Sequence, residues 1–385
     1  MEPDRLQQAI ALMDAFARRT GVEGEAPPRR YLWTDAFAVC NDLGLARATG
    51  EARFRERALR LIDQVHEVLG RHRPDDDRQG WLSGLPDDKA REHPTRGGLR
   101  IGKPLPERGP DEPFDERLEW ERDGQYFHYL TKWMHALDQA ARATGEVRYS
   151  RWARELAITA HRAFVYRRPG RAPKMYWKMS IDLTRPQVPS MGQHDPLDGY
   201  LTTLQLIATA HALGDAPQPE LDAALKDYAT MVAAGALETG DPLGLGGLLT
   251  DAYRLHQLRA QGASADPRLA ARILEAAFAG LRYYAAAGEL RQPAAYRLGF
   301  RELGLAIGLH AVARMRGEAR ETAATDPQER DLLEALARFL PLAREIEGFW
   351  LQEVNREAPT WTEHRDINEV MLATALAPDG FLRLR

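Results

Sequence analysis

Three short stretches of the chain gather carboxylates, imidazoles and aromatic rings at spacings that suit acid–base chemistry. The first is Glu119-Trp120-Glu121-Arg122-Asp123-Gly124-Gln125-Tyr126-Phe127-His128, the second His194-Asp195-Pro196-Leu197-Asp198-Gly199-Tyr200, and the third Trp361-Thr362-Glu363-His364-Arg365-Asp366. Carboxyl and imidazole groups are readily tuned to give and take protons near neutral pH. The candidate catalytic groups are therefore Asp123, Asp198, Glu363, His128, His194 and His364. Asp123 and Asp198 also have the type and position of helix N-caps, Glu369 reads as a helix ion-pair partner, and His135 reads as core. No metal is expected, because there is no His-Glu-x-x-His motif and the lone Cys40 cannot build a thiolate site. No cofactor is expected either: Gly244-Leu245-Gly246-Gly247 lacks the preceding strand of a dinucleotide site, and no Gly-x-Ser-x-Gly elbow appears.

Aromatic residues add a second signal. Trp33, Trp81, Trp120, Tyr126, Trp177, Tyr200 and Trp361 fall on loops or helix starts, where flat ring faces suit the apolar faces of sugar rings. Joined by polar neighbours, the expected substrate-binding set is Arg30, Trp33, Asp35, Tyr126, Trp177, Asp195, Tyr200 and Trp361. The expected partner is a small carbohydrate or polyol.

The elements that must hold these groups are helices. Apolar periodicity predicts helices over about Asp4–Arg19, Trp33–Ala48, Ala52–Leu69, Gly124–Ala143, Arg148–Val165, Asp198–Leu213, Pro219–Ala234, Leu245–Ala260, Pro267–Ala287, Ala295–Arg316, Pro327–Ile346 and Thr362–Leu376. Ala46-Arg47-Ala48-Thr49-Gly50-Glu51 recurs identically as Ala141 to Glu146, which marks one supersecondary unit used repeatedly. Anchoring on Gly50, Gly145, Gly214, Gly262, Gly317 and Gly380 puts Trp33, His128, Leu197, Leu245, Phe300 and Glu363 at one helix-start level. Helix N-termini gathered at one mouth favour oxygen-rich or anionic ligands. Two long connections, Arg71 to Glu119 and Tyr166 to Leu197, should crown that mouth as functional loops. Alternation in Lys174-Met175-Tyr176-Trp177-Lys178-Met179-Ser180 predicts a short β-hairpin.

Composition narrows the partners. The chain has 385 residues, 28% charged, and a formal charge of -4, with no basic block long enough to track a phosphate backbone. Nucleic-acid and membrane partners are not expected. Met1-Glu2-Pro3-Asp4-Arg5 shows no basic segment followed by an apolar run, and Cys40 is the single cysteine. These features fit a cytoplasmic protein. The length exceeds one ordinary core, and the repeat favours one closed domain over residues 1–385.

Twelve helices in six hairpins, with the first helix closing on the last, resemble the six-hairpin glycosidase-like superfamily. The resemblance implies an all-α fold, an (α/α)6 toroid. Arg30-Tyr31-Leu32-Trp33-Thr34, followed by a helix ending Ala-Thr-Gly-Glu, is similar to the N-acylglucosamine and cellobiose 2-epimerase group. That group uses paired histidines as acid and base, and Lys132 stands one turn beyond His128 where its histidine would be. Three activities follow as expectations. The first is glycoside hydrolysis, with Asp123 or Asp198 across from Glu363; the second is epimerisation, with His194 and His364 exchanging the proton; the third is a non-catalytic helical-repeat binding protein.

Overall fold

The computed structural model describes residues 3–321 and 326–384. The first two residues of the segment read for a leader, and both ends of the expected 1–385 domain, lie outside that range. The chain divides into two compact units, one formed by residues 17–43 and 51–235, the other by 1–16, 44–50 and 236–384. No described helix is long and apolar enough to cross a membrane.

In the first unit, helices alternate between two burial patterns. Helix Phe127–Thr144 is buried almost all round, whereas Val147–Phe164 buries one stripe through Tyr149, Trp152, Ala153, Leu156, Ala160 and Phe164. The all-round apolar helix must be an inner one, and the striped helix an outer one that shields it. The same alternation pairs Asp195–Ala212 with Pro219–Ala234. Leu32–Thr49 is followed by Ala52–Leu69, whose buried face runs through Phe54, Leu61, Val65 and Leu69.

The repeated Thr-Gly stops have a backbone cause. Gly50 and Gly145 adopt φ of 77° and 73°, the left-handed conformation that reverses a chain after a helix and that glycine reaches without a Cβ penalty. Gly214 and Gly262 share it, but Gly317 lies inside helix Gly299–Glu321 and Gly380 inside helix Asp379–Leu382. The six-fold glycine register therefore holds for four anchors and fails for two.

Other boundaries shift for identifiable reasons. Helix Asp195–Ala212 starts with His194 as N-cap and Pro196 in its first turn, so Asp198 is inside the helix rather than capping it. The helix expected to run to Ile346 breaks into Pro327–Leu336, a 3-10 turn Ala337–Phe339, and Pro341–Leu351, because Pro341 has no N–H to continue the ladder. The expected hairpin is instead split at Tyr176 and Trp177. Lys174–Met175 pairs with Val165–Tyr166, while Lys178–Met179 lies between Gln125–Tyr126 and Pro186–Val188.

That small sheet brings the second long connection against the end of the first. Lys178 carries its amine to Glu119 Oε1 at 2.9 Å and to the carbonyl oxygens of Glu119 and Arg122, each at 2.8 Å. The connection 71–124 also carries short helices of its own, Asp87–Glu92 and Glu116–Glu121. In the second unit, Pro242–Ala260 and Gly299–Glu321 are the inner helices and cross closely. A Cβ at Gly308 would meet Gly246 Cα at 2.7 Å, so the crossing requires glycine.

Candidate active site

Three helix starts of the first unit converge: Leu32–Thr49, Phe127–Thr144 and Asp195–Ala212. Their junction is lined by rings. The hydroxyls of Tyr31 and Tyr129 meet at 2.6 Å, and Trp33 packs on Phe37 and Tyr129 with centroids 4.5 and 6.5 Å away. Tyr126 stacks on Trp177 at 5.0 Å and on His128 at 5.5 Å. The sheet sets this stack: Tyr126 pairs with Lys178, and Phe127 N–H donates to the Trp177 carbonyl. Trp120, 47% exposed, meets Trp177 edge to face at 5.0 Å and carries the aromatic surface outward.

The carboxylates fall into unlike surroundings. Lys132 donates to Asp198 Oδ1 at 2.7 Å and Oδ2 at 2.9 Å, one turn along its helix from His128. Asp195, three residues before Asp198, is buried with Oδ2 lacking a hydrogen-bond partner. Desolvation, reinforced by the nearby Asp198 charge, pushes the Asp195 carboxyl up to about 8, so it carries its proton at neutral pH. Gly192 lies against that carboxyl so closely that any side chain there would strike it. Half-buried His128 is held the other way: desolvation lowers its imidazole to about 4, leaving it neutral, with Nδ1 unpartnered. Burial also lowers Lys103, whose amine lies 5.5 Å from the centre of the Tyr31 ring, and raises the hydroxyls of Tyr31, Tyr126 and Tyr129.

Asp123 is neither an N-cap nor open to the junction. It is fully buried and accepts from Arg100 at 2.6 Å, Arg73 at 3.4 Å, and the Gly102 and Gly124 N–H groups at 3.0 Å each. Tyr126 occupies the N-cap position of the helix instead. Four bonds engage its lone pairs and make it an anchor of the first long connection. Arg30 and Asp35 hold one another at 3.6 Å while Asp35 accepts from Tyr31 N–H at 2.9 Å, which fixes the start of the first inner helix. His194 is half-buried at its N-cap position and Tyr200 is buried.

The third sequence cluster belongs to the second unit. There Trp361 is buried and stacked on Trp350 at 5.1 Å, while Glu363 and His364 are exposed and His364 is the N-cap of helix Arg365–Leu376. Sequence reading passed over Lys132 as a partner for Asp198, and it passed over Tyr129 and Lys103. The signal for Lys132 is its i, i+4 placement after His128, which puts both on one helix face.

The sequence matches no family model and no curated protein. Solved structures do match. The GH76A α-1,6-mannanase of Salegentibacter sp. HEL1_6 aligns over 97% of this chain and 99% of its own, with TM-score 0.53 and 11% identity. The GH76 α-mannanase of Bacteroides thetaiotaomicron aligns over 97% and 96%, with TM-score 0.57 and 9% identity. The chain is similar in fold to these two enzymes. This six-hairpin fold is the expected all-α (α/α)6 toroid, and it accounts for the alternation of inner and outer helices in each unit. A cellobiose 2-epimerase from Spirochaeta thermophila aligns over 96% and 98%, with TM-score 0.49 and 12% identity.

Proposed function

We propose that this protein is a carbohydrate-active enzyme, a single-domain glycoside hydrolase working through Asp195 and Asp198. The observation that carries the reading is the opposed environment of these two carboxyls in the first turn of one inner helix. Paired groups whose surroundings push their proton affinities apart take different roles in catalysis. Asp195, protonated in its dry pocket, donates to the glycosidic oxygen as the leaving group departs. Asp198, an oxygen acceptor oriented by Lys132, stabilises or attacks the positive anomeric carbon. Residues three apart on a helix have Cβ atoms roughly 5–6 Å apart, which suits the close carboxyl pair of a retaining enzyme.

The fold relatives support a sugar substrate, since variants of the Salegentibacter mannanase are described in complex with α-1,6-mannotriose and α-1,6-mannotetrose. Those variants were inactivated at two adjacent aspartates. Adjacent aspartates here, Asp75-Asp76-Asp77 and Asp87-Asp88, lie on the first long connection, where Arg73, Arg78 and Arg71 bind Asp75, Asp76 and Asp87. The Asp195 and Asp198 pair is thus the better site, with half-buried Trp177 and exposed Trp120 as ring surfaces at its edge.

Epimerisation is the second reading, favoured by one observation: His128 is neutral, with a free Nδ1, at the same junction. A panel of disaccharides, α-1,6-mannobiose among them, tests both readings by NMR in D2O. Hydrolysis predicts new reducing ends, lost in Asp195→Asn and Asp198→Asn. Epimerisation predicts deuterium at C2 of the reducing sugar, lost in His128→Asn. Binding without either product would leave the non-catalytic alternative.

A further inference from the structure

Lys103 is a charged side chain at the aromatic junction to which the hydrolase chemistry gives no task. Backbone contacts fix its place. Leu32 N–H donates to the Ile101 carbonyl at 3.0 Å, Ile101 N–H to the Gly124 carbonyl at 2.9 Å, and Gly102 N–H to Asp123 at 3.0 Å. Gly102, at φ of 92°, passes so near Arg30 that a Cβ would lie 2.3 Å from the Arg30 carbonyl oxygen, which only glycine tolerates. The segment is thus pinned between the starts of two inner helices, and the amine of Lys103 lies 5.5 Å from the centre of the Tyr31 ring. From there the rings lead inward: Tyr31 bonds Tyr129, and Tyr129 meets His128 edge to face at 4.7 Å.

The simplest account of this lysine is that it offsets Glu121 and Asp123, whose charges both act on it. Asp123, however, is already engaged by Arg100, Arg73 and two N–H groups. Glu121 is exposed, and the half-buried Lys103 amine makes no hydrogen bond or ion pair with either carboxylate or with any other described residue. The groups proposed for the chemistry carry no net charge, since Lys132 is paired with Asp198, Asp195 holds its proton and His128 is neutral. A second donor lies on the same ring. Two hydroxyls that meet, as those of Tyr31 and Tyr129 do, spend one of their two protons on each other. Burial keeps both hydroxyls protonated, and neither has another partner among the described residues, so one O–H remains to donate.

We propose that the sugar taken by this site is a uronic acid, its carboxylate accepting from the Lys103 amine and from the remaining hydroxyl proton of the Tyr31–Tyr129 pair. The inference rests on the hydrolase reading for the position of the site and names the class of substrate. An ionised carboxylate offers only acceptors, and a bond from an ammonium group to it is stronger than one to a neutral hydroxyl. A neutral hexose presents a hydroxyl where the uronic acid presents charge, and forgoes that gain. Burial weakens the hold of Lys103 on its proton, and a carboxylate set against the amine restores it.

Calorimetric titration of the full chain with glucuronic, galacturonic and mannuronic acids, each beside its neutral hexose, tests the proposal. At least one acid should bind about tenfold or more tightly than its hexose, the gain expected of a charge-assisted bond, and added salt should narrow the gap. Lys103→Met keeps the stem and removes the charge, so acid and hexose should then bind equally, while Lys103→Arg should restore part of the preference. The amine has no protein partner to lose, so the melting temperature should hold, and Lys103→Gln serves if methionine disturbs folding. Exposed Lys89, paired with Glu92 on helix Asp87–Glu92, is the control, and Lys89→Met should leave the preference unchanged. No binding of any of the three acids at millimolar concentration, no preference over the hexoses, or a preference that survives Lys103→Met would overturn the proposal. Titration reads binding without turnover. Acids bound through Lys103 with no disaccharide ever cleaved would overturn the hydrolase reading alone, and cleavage of neutral disaccharides with no preference for acids would overturn this one alone.

Discussion

Lys132 holds both oxygens of Asp198, at 2.7 and 2.9 Å, across the space between two inner helices. The contact settles where charge can reside in this junction. A carboxylate gripped at both oxygens is oriented, while Asp195, one turn away and without a partner on Oδ2, keeps its proton. His128, one turn before Lys132 on the same helix, is within electrostatic reach of Asp198 and Lys132 and stays neutral through burial.

Replacing Lys132 with Met should strip Asp198 of its cation while retaining much of the side-chain volume. Loss of a partner from a largely buried charged pair costs about 1–3 kcal/mol of stability, and misplacing a catalytic carboxylate costs turnover by roughly 100-fold or more. Lys132→Arg, which keeps the charge, should recover part of both. Turnover that survives Lys132→Met at full rate would separate Asp198 from catalysis.

The pH profile follows from Asp195. As the proton donor it must be protonated, so kcat/KM should fall as pH rises through about 8. Folding gives the same sign: the native carboxyl binds its proton more tightly than the unfolded one, so stability declines from the ordinary carboxylate range up to about pH 8 and then levels. Asp195→Asn should abolish the activity while flattening that decline. A wild-type alkaline limb that persists unchanged when activity is followed in Asp198→Glu, yet leaves stability flat, would assign the limb to another group.

Asp123 calls for the opposite outcome. Arg100 donates to Asp123 and to the carbonyls of Arg71 and Val68, all within 2.7 Å, so the pair ties the first long connection to helix Ala52–Leu69. Removing one partner of a buried pair costs about 3–5 kcal/mol. Arg100→Ala and Asp123→Asn should therefore lower the denaturation midpoint markedly, with little change in kcat for the molecules that remain folded. Loss of kcat at unchanged stability would return Asp123 to the catalytic list.

These contrasts show what sequence could and could not reveal. Helix periodicity located the inner and outer helices because burial stripes repeat along the chain, and glycine stops, two of them Thr-Gly, marked four ends because left-handed backbone there favours glycine. The aromatic lining was legible from Trp33, Tyr126 and Trp177 falling at helix starts or on a loop. The roles of carboxylates were not. Asp123, Asp195 and Asp198 look alike in sequence, and only long-range partners separate them: Arg100 for the first, dry packing for the second, Lys132 for the third. Gly317 and Gly380 misled the register because glycine also sits inside helices, Gly380 against Gly44 and Gly317 facing open space.

The N-terminal helix offers a prediction in which packing and charge can be told apart. Helix Pro3–Arg19 buries Ala9, Ile10, Met13 and Phe16 at helical spacing, and Arg5 reaches buried Glu347 at 2.8 Å. Met13→Ala removes apolar volume from a packed position and should cost about 2–5 kcal/mol at any pH at which the protein folds. Arg5→Ala acts through charge. Burial alone would raise the Glu347 carboxyl, but hydrogen bonds from His310 and Arg5 outweigh it and hold the group below its ordinary value. A carboxyl lowered in the folded state adds stability above the unfolded carboxylate range and loses it as pH falls through the folded value. The cost of Arg5→Ala should therefore be full at pH 7 and shrink on acidification, while that of Met13→Ala stays constant. Urea denaturation at neutral and acid pH measures both, and an Arg5→Ala cost independent of pH would show that the arginine acts through its methylene packing rather than its charge.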